Sequence, residues 1–265
     1  MAFLQVNLFS KSLMRMVPVN VILPVDKMEM PGMPQRKNEP FKTLYLLHGL
    51  LGNHMDWGTT SRVQRFAEEH NLAVVMPAGE NAFYIDHPET HNLYGEFIGK
   101  ELVELTRKMF HLSAEREDTF IGGLSMGGFG AIRNGLKYHD TFGCIVALSA
   151  ALIIDIIQER IVNPVMFCDT QEFAETTFGN LDELKNSDKN PKFLVEQLLK
   201  EDRKLPKIYM ACGDKDILLD VNKDFVAFLK EKSVDVTFEI GNGDHEWDFW
   251  DAYIKKAIEW LPTEI

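Results

Sequence analysis

The chain has few of the features that mark several classes of protein. Its 265 residues include three cysteines, Cys144, Cys168 and Cys212, and none lies in a CxxC pair, so neither a disulfide framework nor a metal site is expected. Acidic residues outnumber basic ones, and the net charge is −12. This charge argues against binding to nucleic acid or to an anionic membrane. There is no apolar run of 18 residues and no basic stretch before an apolar N-terminal segment. We therefore expect no transmembrane helix, no signal peptide and a cytoplasmic location.

Short apolar runs and helical periodicity alternate along the chain, which is 45% hydrophobic. The runs that predict buried strands are Val17–Leu23, Thr43–Leu47, Leu72–Met76, Thr119–Gly122, Ile145–Ser149, Ile208–Ala211 and Val236–Ile240. The segments that predict helices are Ser61–His70, Tyr94–Phe110, Met126–Tyr138, Val221–Lys232 and Asp248–Trp260. This order indicates an α/β fold with a mostly parallel central sheet and helices on both faces. The stretch VPVNVILP predicts a hairpin at the sheet edge.

Residues 150 to about 205 interrupt this alternation. They contain helix-like segments and a polar run, LDELKNSDKN, without a clear strand. We interpret them as a mostly helical, cap-like insertion near the active site, within a single domain that spans residues 1–265.

Residues 119–130 read TFIGGLSMGGFG, with five glycines around one serine. The segment GLSMG at 123–127 fits the pattern G-x-S-x-G, follows a predicted strand and opens a predicted helix. That context is typical of a tight strand-to-helix turn that exposes a serine hydroxyl, where larger side chains on either side collide with neighbouring elements. Ser125 is therefore the candidate nucleophile.

A serine hydroxyl needs a base, and the base needs an acid to orient it. His245 is the one histidine of eight that follows the strand Val236–Ile240, in the loop GNGDHEW. In the preceding loop, Asp214, Asp216 and Asp220 are available. Asp220 is interpreted as a helix cap, and Asp216 is favoured over Asp214 as the acid.

Two backbone N–H groups are candidates for binding a developing oxyanion. The N–H of Met126 lies at a predicted helix N-terminus, where the helix dipole favours negative charge. The N–H of Leu50 follows the early strand that ends at His48 and Gly49. His48 itself is interpreted as a structural residue that binds loop backbone.

The segments LLHGLLGNHMDW, GLSMGGFGA, CGDKD and GDHEW resemble, in this order, the esterase D / S-formylglutathione hydrolase family of α/β-hydrolases. The similarity is greatest to the bacterial tributyrin esterase type, which includes some feruloyl esterases, and it extends over nearly the whole chain. It implies that Ser125, Asp216 and His245 form a catalytic triad and that Leu50 and Met126 supply the oxyanion N–H groups. It also implies a homo-oligomer and no metal or cofactor.

The resemblance implies a serine carboxylic-ester hydrolase that acts on a small-molecule ester with a short acyl chain. Feruloyl esters and S-formylglutathione, a thioester, are alternative substrates, and a non-catalytic binding protein of the same fold is an alternative of another class. Trp57 and Tyr84 are candidate substrate-binding residues. Further aromatic candidates for lining an apolar pocket are Phe83, Phe167, Phe173 and Phe178.

Overall fold

A central eight-stranded sheet organises the molecule. The structure is a computed structural model and describes residues 1–26 and 39–263. Its strands, in chain order, are β1 Ala2–Ser10, β2 Arg15–Leu23, β3 Thr43–Leu47, β4 Ala73–Pro77, β5 Asp86–His87, β6 Asn92–Leu93, β7 Thr119–Leu124, β8 Cys144–Leu148, β9 Lys207–Gly213 and β10 Val236–Gly241. The two short strands β5 and β6 pair only with each other.

The strand order in the large sheet is β1-β2-β4-β3-β7-β8-β9-β10. β1 and β2 form an antiparallel hairpin, β2 pairs antiparallel with β4, and all later pairings are parallel. The predicted α/β fold and edge hairpin are thus confirmed. The carboxyl ends of β3, β7, β9 and β10 consequently lie at one edge of the sheet, where α/β folds place their ligands.

Helices cover both faces of the sheet. The α-helices are α1 Asp56–Thr60, α2 Val63–Glu69, α3 Tyr94–Glu96, α4 Leu102–Met109, α5 Met126–Lys137, α6 Ile157–Val162, α7 Gln171–Phe178, α8 Pro191–Lys200, α9 Leu219–Glu231 and α10 Trp247–Trp260. Alternation along β3 shows the two layers: Tyr45 and Leu47 pack into one apolar core, and Leu44 and Leu46 pack into the other. Every residue of β3 is buried, as expected for a parallel strand covered on both faces.

The predicted helix Ser61–His70 is α2, Val63–Glu69, in the structure, and a short helix that was not predicted, α1, precedes it. The Ser61 hydroxyl donates to the Trp57 carbonyl and accepts from the Val63 N–H. Ser61 therefore ends α1, and α2 follows with Arg62 as its N-cap, because the Ser61 side chain replaces backbone hydrogen bonds at the junction.

The chain between β8 and β9 carries α6, α7 and α8, so the prediction of a mostly helical segment agrees with the structure. A cluster of charged side chains fastens it to α5. The fully buried Arg133 donates to the carbonyl and to a carboxylate oxygen of Asp188, the latter at 2.6 Å. Lys137 bridges Asp188 and Asp86 at 2.7 and 3.0 Å.

Candidate active site

Ser125 lies on the tight turn between β7 and α5, with φ 53° and ψ −118°. This backbone conformation is sparsely populated for a residue with a side chain and is typical of functional sites. The flanking glycines are required by contact: a Cβ on Gly123 would lie 2.4 Å from the Gly127 carbonyl oxygen, and a Cβ on Gly127 would lie 2.5 Å from that of Leu47. The turn therefore presents the hydroxyl at the carboxyl edge of the sheet, as the sequence motif predicts.

Loops after three different strands bring the predicted nucleophile, base and acid into one chain of hydrogen bonds. His245 Nε2 lies 3.0 Å from Ser125 Oγ. His245 Nδ1 lies 3.1 Å from both carboxylate oxygens of Asp216. The distances fit a histidine that takes the serine proton at Nε2 while a carboxylate fixes its Nδ1–H.

Asp216 is buried, with 5% of its surface exposed. Burial raises the pKa of its carboxyl, but hydrogen bonds from His245 and from the Ser149 hydroxyl lower it by more. The Leu218 N–H, which donates to Oδ1 at 2.8 Å, acts in the same direction. The net pKa lies below its ordinary value, so the group facing His245 is a carboxylate at neutral pH.

The other two aspartates of this loop have different positions. Asp214 accepts the Gly243 N–H at 3.1 Å and braces the loop that carries His245. The prediction that Asp220 caps a helix is wrong, because α9 begins at Leu219 and its N-cap is Leu218. Asp220 is exposed and pairs with Lys223 one turn on.

Leu50 and Met126, the predicted oxyanion donors, follow β3 and Ser125 respectively. Within residues 1–26 and 39–263, neither N–H donates to a protein acceptor. A Cβ on Gly49 would lie 3.5 Å from the Ser125 Cβ, so the loop after β3 passes close to the serine. Both N–H groups are free to donate to a bound oxygen.

His48 holds this loop in place, as the sequence predicts. Its Nδ1–H donates to the Gly49 carbonyl at 2.7 Å, and its Nε2 accepts the Gly79 N–H at 2.8 Å. Burial lowers the pKa of the imidazole, which favours the neutral form that this pair of bonds requires. His48 is therefore unavailable as a base, because both ring nitrogens are occupied.

The placement of Trp57 and Tyr84 corrects the prediction that they contact substrate. They are 1% and 0% exposed. Trp57 donates its indole N–H to the Leu47 carbonyl at 2.9 Å, and the Tyr84 hydroxyl donates to the His48 carbonyl at 2.9 Å. Buried indole and phenol groups need hydrogen-bond partners, and here the partners are carbonyl groups at the end of β3. Both side chains therefore support the loop that carries Leu50.

Two of the other four aromatic candidates, Phe83 and Phe178, are also core residues. Phe83 packs edge to face against Phe129 and Phe178, with ring centroids 5.6 and 5.0 Å apart, and all three are buried. Phe167 is 57% exposed and touches Phe173. An aromatic pocket formed by this set is thus not observed.

A cleft of about 860 Å³ lies at the same sheet edge, between the loop after β4 and the segment around α7. Its wall includes Glu80 and Asn81, and Asn81 accepts the Leu51 N–H at 2.8 Å. None of Ser125, Asp216 and His245 lines it. The cleft therefore borders the loop that carries Leu50 rather than the reacting groups.

Comparison with known proteins identifies the family. The family model described as "Putative esterase" matches residues 10–261. An acetyl esterase from Caldicellulosiruptor saccharolyticus is 45% identical over 261 residues, which are 98% of each chain. The crystal structure of an S-formylglutathione hydrolase from Staphylococcus aureus is 33% identical, with a TM-score of 0.84 over 98% of both chains.

A ferulic acid esterase of known structure is 22% identical, with a TM-score of 0.78 over 98% of this chain and 97% of the other, a likeness that shows the fold alone. In the part of the chain that the structure describes, no helix is long and apolar enough to cross a membrane. The four motifs, the α/β-hydrolase sheet and these similarities agree: the chain belongs to the Putative esterase family and is a carboxylesterase.

Proposed function

We propose that the chain hydrolyses esters of short acyl groups through an acyl-enzyme on Ser125. The observation that carries this proposal is the hydrogen-bonded chain from Ser125 Oγ through the His245 ring to the Asp216 carboxylate. The 45% identity to an acetyl esterase supports a short acyl group. Membership of an esterase family argues against a non-catalytic binding protein.

In the first half of the reaction, His245 Nε2 takes the proton of Ser125 as Oγ attacks the ester carbonyl carbon. The imidazolium that forms is stabilised by the Asp216 carboxylate. The carbonyl oxygen becomes an oxyanion, and the N–H groups of Leu50 and Met126 donate to it. His245 then gives its proton to the ester oxygen, the carbon–oxygen bond breaks and the alcohol leaves.

In the second half, His245 takes a proton from water and the hydroxide attacks the acyl carbon of the ester on Ser125. The same two N–H groups hold the second oxyanion. As this intermediate collapses, the bond from carbon to Oγ breaks and His245 returns its proton to Oγ. The products are a carboxylic acid and free Ser125, and water is the one co-reactant that these steps need.

The residues next to Ser125 support a small acyl group. The chain that leaves β8 runs alongside the serine, and the Ala151 N–H donates to the Ser125 carbonyl at 3.0 Å. Leu152 and Ile153, which follow, are only 9% and 8% exposed. Apolar, closely packed neighbours suit a short alkyl chain and leave little room for a long one.

A formyl thioester is the second candidate, because an S-formylglutathione hydrolase matches 98% of the chain at 33% identity. The same attack and collapse serve a thioester, with a thiol as the leaving group. A feruloyl group has weaker support, since its structural relative shows the fold alone. Four of the predicted pocket residues are also buried in the core: Trp57, Phe83, Tyr84 and Phe178.

The test measures hydrolysis of p-nitrophenyl esters from acetate to decanoate, methyl ferulate and S-formylglutathione by wild type and by Ser125→Ala. Ser233→Ala is the matched control, because Ser233 is exposed at the end of α9, away from the loops described above. We expect activity confined to acyl groups of two to four carbons and lost only in Ser125→Ala, together with labelling by a fluorophosphonate probe. Full activity in Ser125→Ala would overturn the mechanism, and a preference for decanoate or ferulate would overturn the short-acyl assignment.

A further inference from the structure

Ser149 is a fully buried hydroxyl that the mechanism above does not use. It follows β8 directly, and its N–H donates to the Ala211 carbonyl of β9 at 2.8 Å. Its φ is 48°, a left-handed conformation that costs free energy for a residue with a side chain. The backbone therefore holds this hydroxyl in a strained position beside the strand that leads to Asp216.

Trp250, on the first turn of α10, contacts both Ser149 and the catalytic histidine. Its indole N–H donates to Ser149 Oγ at 3.0 Å. Its ring stands perpendicular to the His245 imidazole, with centroids 4.9 Å apart. Because the ring abuts the imidazole, Trp250 restricts the rotation of His245 while its N–H is fixed on Ser149.

The bond from Trp250 decides where the Ser149 proton points. A serine hydroxyl has one proton to donate and two lone pairs to accept with. Since one lone pair faces the indole N–H, the proton is left for the acceptors on the β9 side. These are the Asp216 carboxylate and the weakly accepting Cys212 sulfur, and a carboxylate is much the stronger acceptor.

The Asp216 carboxylate is thus held from three directions. The Leu218 N–H binds Oδ1, the His245 ring binds at Nδ1, and the Ser149 hydroxyl supplies the remaining donor. Without that donor, the carboxylate keeps its charge but loses one of the hydrogen bonds that restrict its rotation about its last bond. A turned carboxylate no longer aligns Nδ1–H, and the base loses its orientation toward Ser125.

We propose that Ser149 and Trp250 form a positioning pair that fixes both the Asp216 carboxylate and the His245 ring in the geometry needed for proton transfer. Neither touches the reacting atoms; each acts through the His245–Asp216 pair. This inference rests on the proposed function, because it assigns roles toward the same catalytic groups.

The experiment compares Ser149→Ala, Trp250→Phe and the double variant with wild type on p-nitrophenyl acetate. Trp260→Phe is the matched control: Trp260 lies on the same helix, and its indole N–H also donates to a hydroxyl, Thr237 Oγ1, at 3.2 Å. Far-UV circular dichroism and thermal melting establish that each variant is folded. The low-field proton resonance of His245 Nδ1–H reports the bond to Asp216 directly.

We expect kcat to fall about tenfold or more in Ser149→Ala and in Trp250→Phe, the loss typical of a hydrogen bond to a charged group, with KM nearly unchanged. The double variant should lose little more than either single one, because both changes break the same chain. The Nδ1–H resonance should shift or broaden in all three, and Trp260→Phe should match wild type.

Wild-type kcat and an unchanged resonance in Ser149→Ala would overturn the proposal. So would fully multiplicative losses in the double variant, or an equal loss in Trp260→Phe. If Ser149→Ala does not fold, Trp250→Phe and the resonance still decide. These results would contradict the positioning pair alone. The proposed function would be contradicted by a different result, which is full activity in Ser125→Ala.

Discussion

Different kinds of contact fix two regions of the molecule. One is the set of loops that carry the proposed catalytic groups, called the catalytic loops below, and the other is the segment of residues 150–205, called the insertion below. The loops after β3 and β7 are held by backbone at close range, with Gly127 pressed against the Leu47 and His48 carbonyls. The insertion packs apolar side chains such as Phe178 and Val195 into the core, and long charged side chains join it to α5, with Arg133 and Lys137 on Asp188.

Exposure follows the same division. All six residues of β7 are buried, whereas the insertion presents Val162, Val165 and Phe167 at 74%, 91% and 57% exposure. Proton transfer requires hydrogen-bond distances that vary by only tenths of an ångström. Backbone contacts supply that accuracy, and flexible side-chain anchors do not. The difference predicts that changes in the loops alter activity, while changes in the anchor alter stability.

The largest expected effect on stability comes from Arg133→Met, which removes the buried end of the anchor. Arg133 is 0% exposed, and its loss leaves the ion pairs of Asp86 and Asp188 with Lys137 in place without the buried guanidinium. We expect the free energy of unfolding to fall by about 3 kcal/mol, measured by urea denaturation. The KM for p-nitrophenyl acetate should change less than the stability does.

Arg203→Met is the control for that change. Arg203 also pairs with an aspartate, Asp140 at 2.6 Å, but the two side chains are 45% and 75% exposed. Its loss should cost less than about 1 kcal/mol. Equal effects of the two substitutions would show that the buried cluster is not what fastens the insertion.

The sequence predicts the catalytic loops much better than the insertion, and the reason is physical. The glycines around Ser125 mark a turn that few other structures need, and the chain order of the loops then singles out His245. Asp216 and Asp214 are harder to separate from the sequence, because both follow β9 and it is the fold that brings Asp216 to His245 and Asp214 to Gly243.

The residues that sequence reasoning misses depend on contacts distant in the chain. Ser149 and Trp250 are 101 positions apart, and neither belongs to a local motif; the one signal for Ser149 is its place directly after a predicted strand. The sequence alone predicts a pocket role for Trp57 and Tyr84 incorrectly, because aromatic residues serve both in cores and in binding sites. Their burial and their hydrogen bonds to the end of β3 show that both residues belong to the core.

Gly127→Ala tests the catalytic loops. The added Cβ would lie 2.5 and 2.6 Å from two backbone carbonyl oxygens, which cannot move without displacing the loop that carries Leu50. We expect a loss of about 2 kcal/mol in stability and a fall in kcat of at least tenfold, since one oxyanion donor is worth more than that. Urea denaturation and steady-state kinetics check the two expectations.

Gly179→Ala is the matched change in the insertion. Gly179 has φ +77°, and its nearest neighbour for a Cβ is the flexible Lys189 Nζ at 3.2 Å. The strained φ should cost about 1 kcal/mol, while kcat should stay at the wild-type value. A larger loss of kcat in Gly179→Ala than in Gly127→Ala would contradict the view that the catalytic loops determine activity more than the insertion does.

The smallest effect concerns His48, which joins two loops at the catalytic edge through neutral nitrogens. Its pKa is lowered by burial, so between that folded value and the unfolded value of about 6.5 the unfolded chain binds more protons. Its contribution to stability is therefore present above about pH 6.5 and is lost as pH falls through the folded pKa. His48→Asn keeps a donor toward the Gly49 carbonyl but cannot titrate, and should cost about 1 kcal/mol at pH 8.

Melting temperatures from pH 8 to pH 5 should accordingly fall less steeply in His48→Asn than in wild type, so that the two proteins converge in acid. The remaining slope comes from other groups, including His87, whose pKa burial also lowers. Measurements of activity distinguish the two histidines at this edge. His48→Asn should retain the pH profile of kcat/KM at reduced height, because His245 is the proposed base. An identical slope in both proteins would mean that His48 is not held neutral. Loss of all activity, as expected for His245→Asn, would mean that His48 takes part in proton transfer.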